Sequence, residues 1–236
     1  MRWPPHWRRR YATARRWQKR LTIPVLATLA ACWVSLSFSL FAPDPPRDAD
    51  NLCAIFREQP DWYDYAAESE RRWGTPIATQ MAFVFYESAF QSHAQPPRTQ
   101  LMGFIPWTRP STAYGYAQAL DPTWAEYLEA QNDGFFVVRT HMKHALDFIG
   151  WYNRLTHEQL GISLRNARHL YLAYHEGRSG YRRASFRAKP DVTALSQRVA
   201  SRASRYGDQL SECEAEFQCR HFYQVWPFCK VATGSS

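Results

Sequence analysis

The spacing of apolar residues predicts a domain built of α-helices. Between residues 60 and 217, apolar side chains recur every three or four positions, which is the repeat of one helix face. The pattern predicts helices over residues 61–73, from Pro76 through residue 88, from Asp121 to about Gln131, over residues 137–155, from Ser163 through Tyr174, and over about residues 191–217. No strand pattern and no internal repeat accompany them. The predicted fold class is therefore all-α.

Several of these helices carry sequence signals at their ends. Gly74 follows the first helix, and Thr75-Pro76 is typical of an N-cap followed by a proline at the first helical position. Residues 91–113 contain four prolines and interrupt the helical pattern. A non-helical connection of this length inside a compact domain is often a lid or a binding loop.

A different pattern precedes the domain. Residues 1–20 contain eight Lys or Arg and no acidic residue, and residues 21–42 carry no charge. A stretch of 22 uncharged residues is long enough to span a bilayer, and the basic leader should stay in the cytoplasm. Residues 43–59, which begin rich in Pro and Asp, are predicted to be a linker to a catalytic domain over residues 60–217. This arrangement places the domain outside the cytoplasm.

The same apolar stretch supports a second interpretation. Leu29-Ala30-Ala31-Cys32 resembles the lipobox of bacterial lipoproteins, in which the cysteine is lipidated and the preceding segment is removed. Residues 21–42 are therefore either a membrane-spanning anchor or a lipoprotein signal ending in a lipidated Cys32. Both alternatives tether the domain outside the cytoplasm.

The basic character of the chain comes from its leader alone. The chain has 29 Lys and Arg and 21 Asp and Glu, and the eight basic residues of residues 1–20 account for the whole excess. Because the remainder is neutral overall, the high pI does not indicate a nucleic-acid-binding domain.

Cysteine usage agrees with export. Cys53, Cys213, Cys219 and Cys229 form an even set in the part of the chain expected outside the cytoplasm, where disulfides persist. Four cysteines allow three pairings. We favour Cys53–Cys213, which would join the start of the domain to its last helix, and Cys219–Cys229, which would close a tail over residues 218–236. A zinc site is the rival interpretation, and the absence of a CxxC pair argues against it.

Glu87 is the candidate catalytic residue. It ends an apolar run, Met81-Ala82-Phe83-Val84-Phe85-Tyr86, and is followed by Ser88. A carboxyl surrounded by apolar side chains is hard to ionise, so its pKa should rise. Cleavage of a glycosidic bond needs an acid that keeps its proton near neutral pH.

Three short segments together resemble those of the soluble lytic transglycosylase (SLT) family. They are Glu87-Ser88, Gly115-Tyr116-Ala117-Gln118 within Ala113–Gln118, and Ala173-Tyr174-His175-Glu176-Gly177. They occur in the family's order and near its spacing, across roughly residues 60–210. Two departures are Tyr116-Ala117, where bulky aliphatic residues are usual, and His175-Glu176, where the family has Asn and a small residue.

The resemblance implies a lysozyme-like helical fold and cleavage of the N-acetylmuramic acid–N-acetylglucosamine bond of peptidoglycan. The product would carry a 1,6-anhydromuramic end, and Glu87 would serve first as acid and then as base. It also implies a substrate-binding set, to which Tyr206 on the last helix would belong: Ser88, Tyr114, Tyr116, Gln118, Tyr174, His175, Glu176 and Tyr206.

The sequence leaves two alternatives open. A hydrolase of the lysozyme type would use Glu176 or Asp121 to help a water molecule attack. A membrane-tethered scaffold would bind the cell wall without turnover. Neither the resemblance nor the residues call for a metal or another cofactor, peptidoglycan strands and the membrane are the expected partners, and no protein partner is indicated.

Overall fold

A computed structural model describes residue 33 and residues 43–98, 100–101, 105–106, 109–131 and 136–218. The chain divides into two compact units, Met1–Pro43 and Asp44–Ser236. The predicted leader, nearly all of the predicted anchor including Cys32, and the tail beyond residue 218 with Cys219 and Cys229 lie outside the described residues.

The described part of the second unit is helical, which confirms the predicted fold class. Two two-residue strands, β1 and β2, pair antiparallel within the segment for which no helix is predicted. The elements are α1 (Leu52–Glu58), α2 (Pro60–Trp73), α3 (Ile77–Ser88), β1 (Gln100–Leu101), β2 (Ile105–Pro106), α4 (Asp121–Gln131), α5 (Met142–Leu160), α6 (Ala167–Arg182), a 3-10 turn (Ser185–Ala188) and α7 (Pro190–Phe217).

Helix α1 corrects the predicted linker over residues 43–59. The Asn51 side chain caps the helix by accepting a hydrogen bond from the Ala54 amide at 3.1 Å. Leu52, Ile55 and Phe56 have the spacing of a helix face and are fully buried. The folded domain therefore begins before residue 60, because a short helix buries its apolar face directly after the Pro- and Asp-rich segment.

Three other helix starts differ from the prediction. Helix α5 runs five residues later than residues 137–155 at both ends. Asn166, not Ser163, caps α6 by accepting from the His169 amide at 3.2 Å. Pro76 occupies the N-cap of α3, and the Thr75 hydroxyl makes no hydrogen bond within the described residues. The predicted ends at Gly74 and Phe217 agree with the structure.

Helix α3 occupies the centre of the hydrophobic core. Every residue from Ile77 to Val84 is buried, so this helix is covered on all sides. It packs against α7, α2 and α5. A helix enclosed in this way holds its C-terminal residues in a defined position, and Glu87 is the last residue but one.

A disulfide between Cys53 and Cys213 joins α1 to α7, which confirms the first of the two favoured pairs, while the Cys219–Cys229 pair stays a prediction. Two further contacts join the same region: Tyr63 donates to Glu214 at 3.1 Å, and Arg57 pairs with Glu216 at 2.7 Å. The first and last helices of the domain are therefore linked covalently as well as by packing.

None of the helices in the described ranges combines the length and the apolar character needed to cross a membrane.

Candidate active site

Glu87 lies near the C-terminus of α3, opposite α6. Its side chain is partly buried. One turn earlier, Phe83 packs edge to face on two tyrosines of α6, with ring centroids 5.1 Å from Tyr171 and 5.3 Å from Tyr174. The carboxyl therefore lies beside an aromatic surface that α3 and α6 build together.

Burial dominates the electrostatics of this carboxyl. Desolvation raises the pKa of Glu87 to about 7, and a hydrogen bond from the Tyr171 hydroxyl offsets part of that rise. The direction agrees with the sequence prediction. Near neutral pH, Glu87 is therefore present in both protonated and ionised forms.

Tyr171 is a residue of the site that the sequence argument missed. It is buried, its hydroxyl interacts with the Glu87 carboxyl, and burial together with that carboxyl raises its own pKa far above the usual range. The sequence places Tyr171 in a helix face with Tyr174, three residues later, which is also the pattern of ordinary core packing. A hydroxyl in an otherwise apolar face is the only sequence signal for a polar role.

The chain reverses sharply after Glu87. Ala89 and Phe90 both adopt left-handed backbone conformations, with φ of 49° and 61°. This region disfavours residues other than glycine, and a bulky residue in it is uncommon. Phe90 is fully buried against Trp62, with ring centroids 5.7 Å apart. Core packing thus maintains the reversal that ends α3 directly after Glu87.

The second segment forms a tight loop that depends on Gly115. The φ of Gly115 is +78°, and a Cβ atom there would lie 2.2 Å from the backbone oxygen of Arg139. Gln118 closes the loop, because its side-chain amide donates to the backbone oxygens of Ala94 and Gly115, both at 2.8 Å. Arg139 supports the loop from outside by donating to the Ala119 oxygen at 2.9 Å.

The third segment meets the second through Tyr174. The Tyr174 hydroxyl donates to the backbone oxygen of Ala117 at 2.5 Å. Burial raises the pKa of Tyr174 strongly, and the charge of Glu87 raises it further. Because this electrostatic effect acts over a short range, the two side chains lie near each other. All three signature segments are therefore brought together around the end of α3.

Gly177 gives α6 a kink directly after the third segment. Its φ of 72° and ψ of 156° lie in a region that is populated essentially only by glycine. Two hydrogen-bonded helical stretches continue on either side. The glycine of this segment therefore has a backbone role and redirects the second half of α6.

Glu176 is held in a polar cluster. Its side chain is 3% exposed, and it accepts hydrogen bonds from Ser185 and from Lys189, the latter at 2.9 and 3.0 Å. His175 lies 3.2 Å from the same carboxylate and is exposed. The Ser185 hydrogen bond, followed by those of Lys189 and His175, lowers the pKa of Glu176. This carboxylate anchors the 3-10 turn to α6.

Two predicted substrate-binding tyrosines lie in the core. Tyr116 and Tyr206 are fully buried. Tyr116 packs edge to face on Trp62, and Tyr206 accepts a hydrogen bond from Arg202 at 3.1 Å while donating to the backbone oxygen of Ala49. In this conformation both side chains contribute packing, and the structure does not bring them to an exposed surface beside Glu87.

Ser88 and Tyr114 have local partners. The buried Ser88 hydroxyl donates to the Val84 oxygen at 3.1 Å, one turn back along α3. The Tyr114 hydroxyl lies 2.8 Å from His93, and the ring is partly exposed. Contact of either residue with a sugar stays a prediction.

No group of three or more His, Cys, Asp or Glu in the described ranges could hold a metal ion. The site within these residues consists of one enclosed carboxyl, two tyrosines and backbone oxygens.

An all-helical domain with one enclosed carboxyl beside a tyrosine-lined surface is consistent with a lysozyme-like enzyme. A family model described as "Transglycosylase SLT domain" matches residues 20–213, so the chain belongs to that family. The match begins well before the residues that carry the three segments. Comparison with curated proteins and with solved structures produced no match. At the level of the family, the function is that of a lytic transglycosylase acting on peptidoglycan.

Proposed function

We propose that this protein cleaves the bond between N-acetylmuramic acid and N-acetylglucosamine in peptidoglycan and leaves a 1,6-anhydromuramic end. Membership of the SLT family supports the substrate class. The observation that carries the reaction type is the enclosed Glu87, whose pKa of about 7 allows it to hold or release a proton near neutral pH.

Glu87 acts twice in the proposed reaction. Its protonated carboxyl gives a proton to the glycosidic oxygen as the bond to C1 breaks. The carboxylate that remains accepts the proton of the C6 hydroxyl while that oxygen forms the new bond to C1. Glu87 therefore ends the reaction protonated, as it began, and no water is consumed. Only one essential carboxyl is needed, whereas ordinary glycosidases require a pair.

Tyr171 supports the second half of this cycle. Its hydroxyl hydrogen bond favours the ionised form of Glu87, so it stabilises the carboxylate that must form when the proton leaves. Burial acts in the opposite direction and keeps the proton in place before the reaction. The two effects together hold the pKa near the middle of the range that an acid–base cycle requires.

The hydrolytic alternative has less support. Glu176 is engaged by Lys189 and Ser185, and its lowered pKa makes it a poor base. Asp121 is 59% exposed and pairs with Arg139 at 2.5 Å. Neither carboxylate is in a setting that would activate a water molecule for attack on C1.

Digestion of purified sacculi tests the proposal. The wild-type protein should release muropeptides with anhydro ends, which mass spectrometry detects as the loss of one water relative to reducing ends. Glu87→Gln should release none while still binding sacculi, which also separates an enzyme from a non-catalytic scaffold. Glu129→Gln, a change at an exposed position of α4, is the matched control and should retain activity. Reducing ends from the wild type would replace the proposal with hydrolysis.

We also propose that residues 21–42 tether the domain to the periplasmic side of an envelope membrane, by a membrane span or by a lipid on Cys32. The mass of the mature protein distinguishes the two, because lipoprotein processing removes residues 1–31. A mature protein that is found soluble in the cytoplasm would contradict both.

A further inference from the structure

A basic segment follows the kink of α6. Residues 178–189 contain four Arg and one Lys and no Asp or Glu, although residues 21–236 are neutral overall. Two of the cations have acidic partners, since Arg178 lies 3.8 Å from Glu126 and Lys189 holds Glu176. Among the residues that the structure describes, Arg182, Arg183 and Arg187 form no ion pair, and all three are exposed.

The basic segment borders a cavity of about 470 Å³. Arg182 and Arg187 line it, together with Tyr181, Phe186 and His169. The rings of Tyr181 and Phe186 stack with centroids 5.4 Å apart, and the Tyr181 hydroxyl lies 2.6 Å from His169. This cavity thus combines guanidinium groups, aromatic faces and a polar side chain, the combination that orients a small anionic group.

The cavity is held in place by the Glu176 cluster. Lys189 and Ser185 bind the Glu176 carboxylate and so fix the 3-10 turn, which carries Phe186 and Arg187, against α6. The charge of Lys189 is neutralised by its ion pair with Glu176. Arg182 and Arg187 remain as the cations that line the cavity, and the contacts of Glu176 fix the turn that carries Arg187.

The cavity belongs to the same helix as the third signature segment. Tyr174 and Arg182 are eight residues apart on α6, which is at most about 12 Å along a helix. Gly177 redirects the second half of the helix between them. Beyond the kink, the Tyr181 hydroxyl returns to within 2.6 Å of His169, so the cavity lies against the same half of α6 that carries Tyr171 and Tyr174.

We propose that this cavity binds the carboxylates of the peptide stems that branch from the glycan strand. The inference rests on the proposed function. Charge complementarity favours this occupant, because stem carboxylates are anionic and the two arginines that line the cavity form no ion pair with any described residue. Stems also branch from the sugar whose bond is cleaved, so a site beside the third segment lies where they are presented. A lipid surface is the competing occupant, but the aromatic rings are partly buried in the cavity wall and do not project as a membrane wedge.

The test measures binding of the full chain to purified sacculi by sedimentation. All proteins carry Glu87→Gln so that the substrate is not consumed. The parent is compared with the double variant Arg182→Gln/Arg187→Gln and with the charge-matched control Arg71→Gln/Arg205→Gln, whose arginines lie exposed on α2 and α7. We expect the first double variant to bind about threefold to thirtyfold more weakly and the control to bind like the parent.

Sacculi whose carboxylates have been converted to amides identify the recognised group. The parent should bind amidated sacculi more weakly than untreated sacculi, by the same factor that the double substitution causes. The Arg182/Arg187 variant should bind both kinds of sacculi equally, because amidation and the substitutions remove opposite sides of one contact. Equal binding of variant and control, or a further loss for the variant on amidated sacculi, would overturn the proposal. So would a loss seen only with phosphatidylglycerol vesicles, which would assign the site to lipid.

Product analysis keeps this inference separate from the proposed function. If wild type releases anhydro ends and the arginine variant binds like the control, only the stem-binding site is wrong. If wild type binds sacculi through these arginines but releases nothing, the site stands as a wall-binding site and the proposed reaction is wrong.

Discussion

At the scale of single residues, the ionisation of Glu87 should set the pH dependence of activity. The reaction begins with the protonated carboxyl, so activity should fall as the pH rises through about 7. Initial rates of sacculus digestion between pH 5 and 9 would show this limb. A rate that stays constant across pH 7 would mean that another group is the acid.

Tyr171→Phe should shift the fall in activity to higher pH. The hydroxyl hydrogen bond lowers the pKa of Glu87, so its removal raises the pKa and extends activity to higher pH. The maximal rate should fall at the same time, because the carboxylate formed during the reaction loses a donor. Tyr127→Phe is the matched control, since its hydroxyl donates to Asp147 at 2.7 Å and not to Glu87. An unchanged profile for Tyr171→Phe would remove Tyr171 from the site.

Glu87 should also make stability depend on pH. Its folded pKa is raised above that of the unfolded chain, so its contribution to stability is fully present below about pH 4.5 and is lost as the pH rises through about 7. Glu87→Gln cannot ionise. The difference in free energy of unfolding between the variant and wild type should therefore shift in favour of the variant by up to about 3 kcal/mol as the pH rises from 5 to 9.

Urea unfolding at both pH values measures this difference. Glu129→Gln, at an exposed position, should show no comparable change with pH. A Glu87→Gln variant that tracks wild type at both pH values would mean that the carboxyl is not desolvated.

The sequence predicts that the Glu87 carboxyl is enclosed, but it does not predict which side chains from other helices contact it. The apolar run before Glu87 predicts an enclosed carboxyl, because residues three and four positions back share its helix face. Its partner on α6 is a long-range contact, and nothing local to Tyr171 distinguishes a hydroxyl that faces Glu87 from one that faces solvent. The same limit explains Tyr116 and Tyr206, whose positions in the motif pattern do not reveal that the core covers them.

At the scale of elements, the helices follow from periodicity, while their first residues do not. Capping depends on which side chain reaches the exposed amides, and Asn166 and Ser163 are both good N-cap residues. Tertiary packing selects Asn166 for α6. The sequence pattern does not predict helix α1, because seven residues are too few for a clear periodic signal. A helix this short gains its stability from burial.

The kink of α6 provides a prediction at this scale. Gly177→Asn should destabilise the domain by about 1–3 kcal/mol, because φ of 72° with ψ of 156° is a conformation that residues with a Cβ rarely adopt. Apart from the chain neighbours and the backbone of α6 itself, no atom of the described residues lies within 4 Å of the added Cβ, so the cost is conformational and not steric. Urea unfolding gives the magnitude.

Gly161→Asn is the matched control for that cost. Gly161 ends α5 with φ of 69° and ψ of 12°, a left-handed conformation that asparagine tolerates, and its Cβ position is equally open. This substitution should cost less than about 1 kcal/mol. Equal losses at the two glycines would show that the kink requires no special backbone conformation.

At the scale of the whole molecule, a disulfide joins the first helix of the domain to the last. The Cys53–Cys213 disulfide closes a loop with a sequence separation of 160, and the Glu87 site lies on α3 and α6 within that loop. A closed loop restricts the unfolded chain far more than the folded one, so the bond should act mainly on the unfolded state.

The size of this effect is testable. Cys53→Ser/Cys213→Ser should lower the free energy of unfolding by about 2–5 kcal/mol, since loop-closure entropy for a loop of this length is near the upper end of that range. Cys219→Ser/Cys229→Ser is the control for the predicted tail disulfide, whose loop is short and should contribute less. Treating wild type with a reductant should reproduce the sum of the two losses in urea unfolding. If the Cys53/Cys213 variant unfolds at the wild-type urea concentration, the Arg57–Glu216 pair and the packing of α1 would suffice to hold α1 on α7, and the covalent link would add nothing.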